Sequence, residues 1–299
     1  MAFLKKLAFI GAGNMAEALI QGILRASLLK ADEIIASDVS QVRADYIQQK
    51  TGVDVLLDNI QAVKQAETII LAVKPQSMEG VLQGLAEVLS QDQLVISIAA
   101  GIKTETIEEQ LILHVIGKAL QQISLSEMKA EASNQQTGTD DSVECPPVIR
   151  VMPNTPAMIG CSATAICKGR YANDEHLKWA VKIFEAVGYV AVVNEELMDA
   201  VTALSGSGPA YIFTIIESLI DAGVELGLTR DIASGLTIQT VKGAARMMEE
   251  TKEHPAILKN RVTSPGGTTA AGLHSLEKNG LRNAMIEAVI AAKNRAKEL

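Results

Sequence analysis

Leu7-Ala8-Phe9-Ile10-Gly11-Ala12-Gly13-Asn14-Met15-Ala16 is the stretch on which the fold turns. An apolar, strand-like run from Leu7 to Ile10 leads into a GxGxxA turn, and Glu17 to Arg25 then reads as a helix with apolar Ala18, Leu19, Ile23 and Leu24. Gly11 allows the tight turn, Gly13 lets a pyrophosphate reach backbone N–H groups, and Ala16 is small enough for close packing of the helix on the strand. Strand, glycine turn and helix in that order form a dinucleotide-binding fingerprint. Lys5 and Lys6 precede an apolar run that breaks at Gly11 to Asn14, too short for a secretory h-region, so no cleaved leader is expected.

Outward from this motif, Glu33 to Ser37, Thr68 to Val73 and Leu94 to Ala99 read as strands with helical stretches between them. Continuous apolar strands alternating with helices predict a parallel sheet covered on both faces. Val148 to Met152 and Ala163 to Cys167 are further strands, Asp174 to Val187 is a helix, and a last strand lies around Tyr189 to Val193. From Leu197 onward, helical patterns rich in Ala, Leu, Ile and Met take over. The expected fold is α/β: a Rossmann-type, doubly wound, mostly parallel sheet over residues 1–194, followed by an all-α domain over 195–299, with the boundary near Asn194. His114 to Pro147 is a polar insertion, notably at Ser133 to Ser142, and predicts a partly helical excursion followed by a mobile loop.

A length of 299 residues favours two domains, and the net charge of −8 argues against a nucleic-acid groove or an anionic membrane as partner. An anionic substrate must then be held by local donors. Cys145, Cys161 and Cys167 show neither CxxC spacing nor a His cluster, so reduced thiols in a cytoplasmic protein are expected, with no disulfide framework and no metal. No uninterrupted apolar stretch approaches the roughly 20 residues of a membrane span, so a soluble protein is expected.

Several motifs have two readings. Ser264-Pro265-Gly266-Gly267-Thr268-Thr269 precedes a helix-like stretch, Ala270 to Glu277, and reads as an anion cradle or as a tight turn capped by threonine. Ala72-Val73-Lys74-Pro75 and Ile98-Ala99-Ala100-Gly101 end strands on the edge where doubly wound sheets bind cofactors, leaving room for ribose and nicotinamide or merely packing the strand ends. Lys74 is read as a solvated lysine. Asp38 could accept hydrogen bonds from an NAD ribose, whereas Ser37 with Arg43 could bind the extra phosphate of NADP, so preference stays open. Met152 to Pro156 is a loop fixed by two prolines, as a rigid connection or a binding element. Ser205 to Tyr211 is no nucleophile elbow, because it lies between helical stretches without a preceding strand. Gly206 and Gly208 fit close helix contacts or access to a bound ring. The histidines (114, 176, 254 and 274) are scattered; His254 before Pro255 marks a helix terminus.

Taken together, GAGNMAEA (Gly11 to Ala18), LAVKP (Leu71 to Pro75), SIAAG (Ser97 to Gly101), RVMPNTP (Arg150 to Pro156), DAVTALSGSGPAYIF (Asp199 to Phe213), EHP (Glu253 to Pro255) and TSPGGTT (Thr263 to Thr269) resemble pyrroline-5-carboxylate reductase over nearly the whole chain. The resemblance implies reduction of L-1-pyrroline-5-carboxylate to L-proline, with NADP(H) favoured and NAD(H) possible. It assigns Ile10, Gly11, Ala12, Gly13, Asn14 and Met15 to the pyrophosphate, Ser37 to the adenosine ribose or its phosphate, Asn59 to the adenine side, and Ala72, Val73, Lys74, Pro75 and Ala100 to the nicotinamide half. It assigns Ser264, Gly266, Gly267, Thr268 and Thr269 to the substrate, places Glu195 near the substrate ring, and implies a homodimer, possibly assembled into decamers, through the helical domain. In the mechanism this suggests, backbone N–H groups of Gly266 and Gly267, with Ser264, hold the substrate carboxylate, and Thr269 is the catalytic contact to the ring nitrogen. Asp38 departs from the family, as does the length of the segment around Ser133 to Ser142. A β-hydroxyacid dehydrogenase would need a lysine base soon after the glycines, but Tyr211 stands there and the next lysine is Lys242. An imine reductase of other specificity, or a dinucleotide-binding protein without turnover, is told apart by an assay with pyrroline-5-carboxylate.

Overall fold

The structure is a computed structural model that describes residues 7–113 and 145–298; the expected polar loop at Ser133 to Ser142 lies outside the described residues. Two compact units are formed, Met1–Gly206 with Arg295–Leu299, and Ser207–Asn294. The first contains one eight-stranded sheet: β1 (Leu7–Ile10), β2 (Ile34–Ser37), β3 (Asp54–Leu56), β4 (Thr68–Leu71), β5 (Leu94–Ser97), β6 (Val148–Met152), β7 (Ser162–Lys168) and β8 (Gly188–Val192). Their order is β3-β2-β1-β4-β5-β6-β7-β8, and every pairing is parallel except β6 with β7. The sequence of neighbours reverses between β1 and β4, where the connections leave in opposite directions and open a crevice at the carboxyl ends.

The central strands are buried on both faces, as their unbroken apolar runs require. Leu7 and Phe9 of β1 join one cluster with Leu19 and Ile23 of α1 (Asn14–Arg25) and with Ile183 and Phe184 of the helix Asp174–Glu185. Ala8 and Ile10 face the opposite side, against Ile69 and Leu71 of β4 and Leu82 and Leu85 of the helix Met78–Leu85. That alternation is the two-residue period of a strand. Helices α2 (Gln41–Thr51), α3 (Asn59–Val63), α4 (Met78–Leu85), α5 (104–113) and α6 (Asp174–Glu185) complete the layers. Cys145 and Cys167 are buried free thiols, and burial pushes both pKa values up to about 12.

The structure refines several expected boundaries. β4 and β5 end at Leu71 and Ser97, so Ala72 and Val73, and Ile98 and Ala99, run past the last paired residues as loop. The short β3 had no expected range, because its first residue, Asp54, is exposed and the other two are only partly buried. Residues 195–206, helical in pattern, belong by contact to the first unit. They form a 3-10 turn (Glu195–Leu197), α7 (Met198–Val201) and a π turn (Thr202–Gly206), and Met198 is buried against Ala165 and Cys167 of β7.

The second unit is helical: α8 (Gly208–Glu225), α9 (Arg230–Thr251), α10 (Pro255–Arg261), α11 (Thr268–Lys278) and α12 (Leu281–Ala296). The hydroxyl of Thr229 caps α9 by accepting from Ile232 N–H (3.4 Å), and His254 caps α10 by accepting from Ala256 N–H (3.2 Å). Large apolar side chains stay exposed in the single chain, including Phe213, Leu226, Leu236 and Ile238. Although broken by glycines and Pro209, the helical run Glu195–Glu225 is long and apolar enough by composition to cross a bilayer. Most of it is unburied here, although Met198 and Ala203 within it are buried.

Gly188 opens β8 at φ +151°, and a Cβ there would lie 2.2 Å from the Ser162 carbonyl oxygen and 2.4 Å from the Ser162 nitrogen. Backbone cannot swing away as a flexible side chain can. Gly188→Ala should therefore lower the unfolding free energy by about 3 kcal/mol in urea titration. A loss below about 0.5 kcal/mol, the scatter of ordinary surface changes, would contradict the close approach.

Candidate functional site

At the carboxyl end of β1, Gly11 adopts φ +93°, and a Cβ there would lie 2.8 Å from the Ala72 carbonyl oxygen and 3.1 Å from Val73 Cγ1. Only glycine lets the β1 turn close on the chain leaving β4. The approach is tied by Ala72 N–H donating to the Ile10 carbonyl (2.8 Å) and Gly11 N–H to the Ser37 carbonyl (2.9 Å). Gly13 is the N-cap of α1 in an extended conformation, without a side-chain cap among the described residues. Apart from Gly13 and its two chain neighbours, no described atom lies within 4 Å of a Cβ built on Gly13, so the turn faces open space. The first N–H groups of α1 thus have no intrahelical acceptor and sit at the positive end of the helix dipole, a place for an anion.

The Ala12 peptide is gripped from both sides. Asp38 Oδ2 accepts from Ala12 N–H (3.0 Å) while Oδ1 accepts from Ser40 N–H (2.9 Å), and Arg43 Nε donates to the Ala12 carbonyl (2.6 Å). Arg43 Nη2 also pairs with Glu17 Oε2 (2.7 Å), and Lys50 Nζ with Glu17 Oε1 (2.6 Å). Glu17 is buried on α1. Burial alone would raise its pKa, but the hydrogen bonds from Lys50 and Arg43, reinforced by their charge, outweigh it and hold the carboxyl below the ordinary 4.5. Asp38 and Arg43, between which the cofactor preference stood open, are therefore both fastened to the glycine turn.

Ser37, expected to meet the adenosine ribose or its phosphate, is fully buried. Its hydroxyl donates to Asn59 Oδ1 (2.8 Å) and lies 3.4 Å from the Phe9 carbonyl, so the outward groups at this edge are Asn59 and Asp38. Val39 and Leu57 are exposed on the adjoining turns, which the Asp38 N–H to Leu56 carbonyl bond (3.0 Å) joins, and Val42 is exposed at the start of α2. On the β4 side, Ala72 and Val73 are partly buried, Lys74 is exposed and Pro75 opens a 3-10 turn; Ala100 is partly buried before α5.

Glu195, expected near a substrate ring, has both oxygens engaged inside the first unit. Oε1 accepts from Thr104 N–H (2.7 Å) and Arg150 Nη1 (3.3 Å), and Oε2 from the Thr104 hydroxyl. It thereby caps the start of α5 and neutralises the buried Arg150.

In the second unit, Gly266 takes φ +68° and Gly267 is the extended N-cap of α11. A Cβ on Gly267 would come within 2.4 Å of Ser264 Oγ. The helix begins at Thr268, two residues ahead of the expected Ala270, so Thr268 and Thr269 occupy its first turn and neither hydroxyl is the cap. Among the described residues no side chain caps it. Gly267 N–H donates to the Ser264 carbonyl (3.1 Å). The N–H groups of Thr268, Thr269 and Ala270 are the ones left without an intrahelical acceptor.

Comparison with known proteins supplies the chemical setting. Residues 195–299 match the family model of pyrroline-5-carboxylate reductase dimerisation, and residues 6–101 match that of coenzyme F420-dependent NADP oxidoreductase. The chain is 43% identical to a pyrroline-5-carboxylate reductase of Methanosarcina acetivorans over 99% of its length and 98% of the relative's. It is 38% identical to pyrroline-5-carboxylate reductase 1 of Bacillus subtilis, covering 99% and 89% respectively. Among solved structures it is similar to the pyrroline-5-carboxylate reductase of Coxiella burnetii, with TM-score 0.82, 38% identity and 98% of both chains covered. It is also similar to the Plasmodium falciparum pyrroline carboxylate reductase with NADP bound, with TM-score 0.79, 32% identity, and 98% and 97% covered.

The Glu17 cluster makes a pH-dependent prediction. A carboxyl whose folded pKa is depressed contributes stability above its unfolded value and loses it as pH falls through the folded pKa. Glu17→Gln should be about 2 kcal/mol less stable at pH 7, and the deficit should shrink below about pH 4.5 in urea unfolding at stepped pH. An equal deficit at pH 3 and pH 7 would contradict the charge pairing.

Proposed function

The chain belongs to the pyrroline-5-carboxylate reductase family, and on that premise we propose how its residues carry out the reduction of L-1-pyrroline-5-carboxylate to L-proline, the last step of proline biosynthesis. It is an NAD(P)H-dependent oxidoreductase acting on a cyclic C=N bond. The dinucleotide, NADPH favoured and NADH possible, supplies the hydride when bound. The glycine turn fits it: open space beside Gly13 and the uncapped start of α1 suit a pyrophosphate lying along Ile10 to Met15. Asn59, with Ser37 behind it, serves the adenosine side, and Ala72 to Pro75 with Ala100 serve the nicotinamide half.

The substrate is a small carboxylate carrying a protonated imine. The observation that carries its placement is the glycine-lined, uncapped start of α11, with Ser264 beside it. Gly266 lets the chain come close, and N–H groups of Thr268 and Thr269 hold the carboxylate. Thr269 Oγ1 accepts the ring N–H, orienting the carbon that receives hydride and steadying the amine as its charge changes. A protonated imine is already electrophilic, so no histidine or lysine acid is required. The exposed apolar faces of α8 and α9 and the match to a dimerisation family support a homodimer, with decamers as a larger assembly. The net charge of −8 fits a cytoplasmic enzyme of small molecules without nucleic-acid or membrane partners.

A spectrophotometric assay with pyrroline-5-carboxylate should show oxidation of reduced nicotinamide, faster with NADPH than with NADH. Stable absorbance with both cofactors and the cyclic imine would sink the assignment. Thr269→Ala should reduce kcat by about 10²-fold through loss of one oriented contact, with dinucleotide Kd within twofold of the parent. An unchanged kcat would remove Thr269 from the chemistry.

A further inference from the structure

The RVMPNTP stretch does more than turn a corner. Ile149 and Val151 of β6 point into the cluster that contains α1. The opposite face of the strand carries Arg150 and Met152, and Asn154 follows just beyond its end. All three touch residues 195–206. Arg150 pairs with Glu195 (3.3 Å) and lies 3.9 Å from Asp199 Oδ1. Met152 packs with Val201 around buried Met198, and its Cε would lie 2.6 Å from a Cβ on Gly206. Asn154 Nδ2 donates to the Ser205 carbonyl (2.9 Å), a group in the π turn.

Asn154 is itself held rigidly. Its Oδ1 accepts from Ala163 N–H (3.0 Å) and the Ser162 hydroxyl (3.2 Å), and Ser162 Oγ lies 2.9 Å from Thr164 Oγ1. Asn154, Ser162 and Thr164 are buried, and a buried polar network with its partners met specifies one geometry. A π turn departs from the ordinary helical ladder, often at a functional position, and here the Asn154 side chain from the loop after β6 bonds it. Gly206 is the last residue of the first unit before the helices that carry Ser264 to Thr269.

We propose that Arg150, Met152 and Asn154 are positioning residues that hold the segment 195–206, with Glu195 and the π turn, in one geometry against β6, so that imine turnover depends on β6 although none of the three touches substrate. The proposal rests on the reductase assignment above. Asn154→Asp separates this role from simple stability: it keeps an acceptor for Ala163 and Ser162 but sets a carboxylate oxygen against the Ser205 carbonyl. Ser162→Ala is its counterpart, weakening the network while leaving the Asn154 to Ser205 bond. Gly206→Ala disturbs the same junction from the linker side by crowding the Met152 methyl.

The experiment measures kcat and KM for pyrroline-5-carboxylate, NADPH Kd by fluorescence titration, and Tm for the parent and all three variants. Activity of the parent tests the assignment separately. Given an active parent, Asn154→Asp and Gly206→Ala should each lose about tenfold in kcat/KM for the imine with NADPH Kd within twofold, the size expected for one lost buried hydrogen bond. Ser162→Ala should lower Tm with kcat/KM within twofold. Parental kcat/KM in both junction variants, or equal losses in all three variants that track Tm, overturns the proposal. If Asn154→Asp does not fold, Gly206→Ala decides on the same two readouts.

Discussion

The first unit is organised around one close approach, that of the Gly11 backbone to the carbonyl of Ala72. Any side chain at Gly11 would collide with a peptide group that cannot yield without unpairing β1 from β4. Because these strands flank the reversal of sheet order, the contact defines the floor of the crevice in which doubly wound sheets hold ligands. The Ala12 peptide, gripped by Asp38 and Arg43, hands this rigidity to the helix start at Gly13. Glu17, Arg43 and Lys50 carry it into α2, so an exposed turn rests on a partly buried charge cluster.

The second unit repeats the physical device with different parts. At both Gly13 and Gly267 a glycine in extended conformation occupies the N-cap, and the first-turn N–H groups are left for something outside the helix. A serine, threonine or aspartate cap would satisfy those donors locally and remove the site. The requirements for glycine differ: Gly13 borders open space, whereas Gly267 has Ser264 packed where a Cβ would go.

The sheet was legible because buried parallel strands need continuous apolar sequence, and β1, β2, β4 and β5 have it. Gly11 and Gly13 were legible because their spacing encodes a local shape. What escaped sequence reading depends on partners far along the chain. The hydroxyl of Ser37 donates to Asn59, 22 residues away. Glu195 meets Thr104 across 91 residues, and nothing near either announces the pairing. Residues 195–206 have helical composition, and Met198, Arg150 and Asn154 tie them by contact to the sheet unit. The start of α11 was misjudged by two residues because threonine is read as a cap, whereas Gly267 takes that position.

The most direct test is a crystal structure with NADPH and L-proline bound together. The pyrophosphate should lie on the backbone of Gly11 to Met15 and the proline carboxylate within about 3.2 Å of the Thr268 and Thr269 N–H groups, with the ring nitrogen facing Thr269 Oγ1. A proline carboxylate held elsewhere, with the start of α11 empty in every subunit, would contradict it.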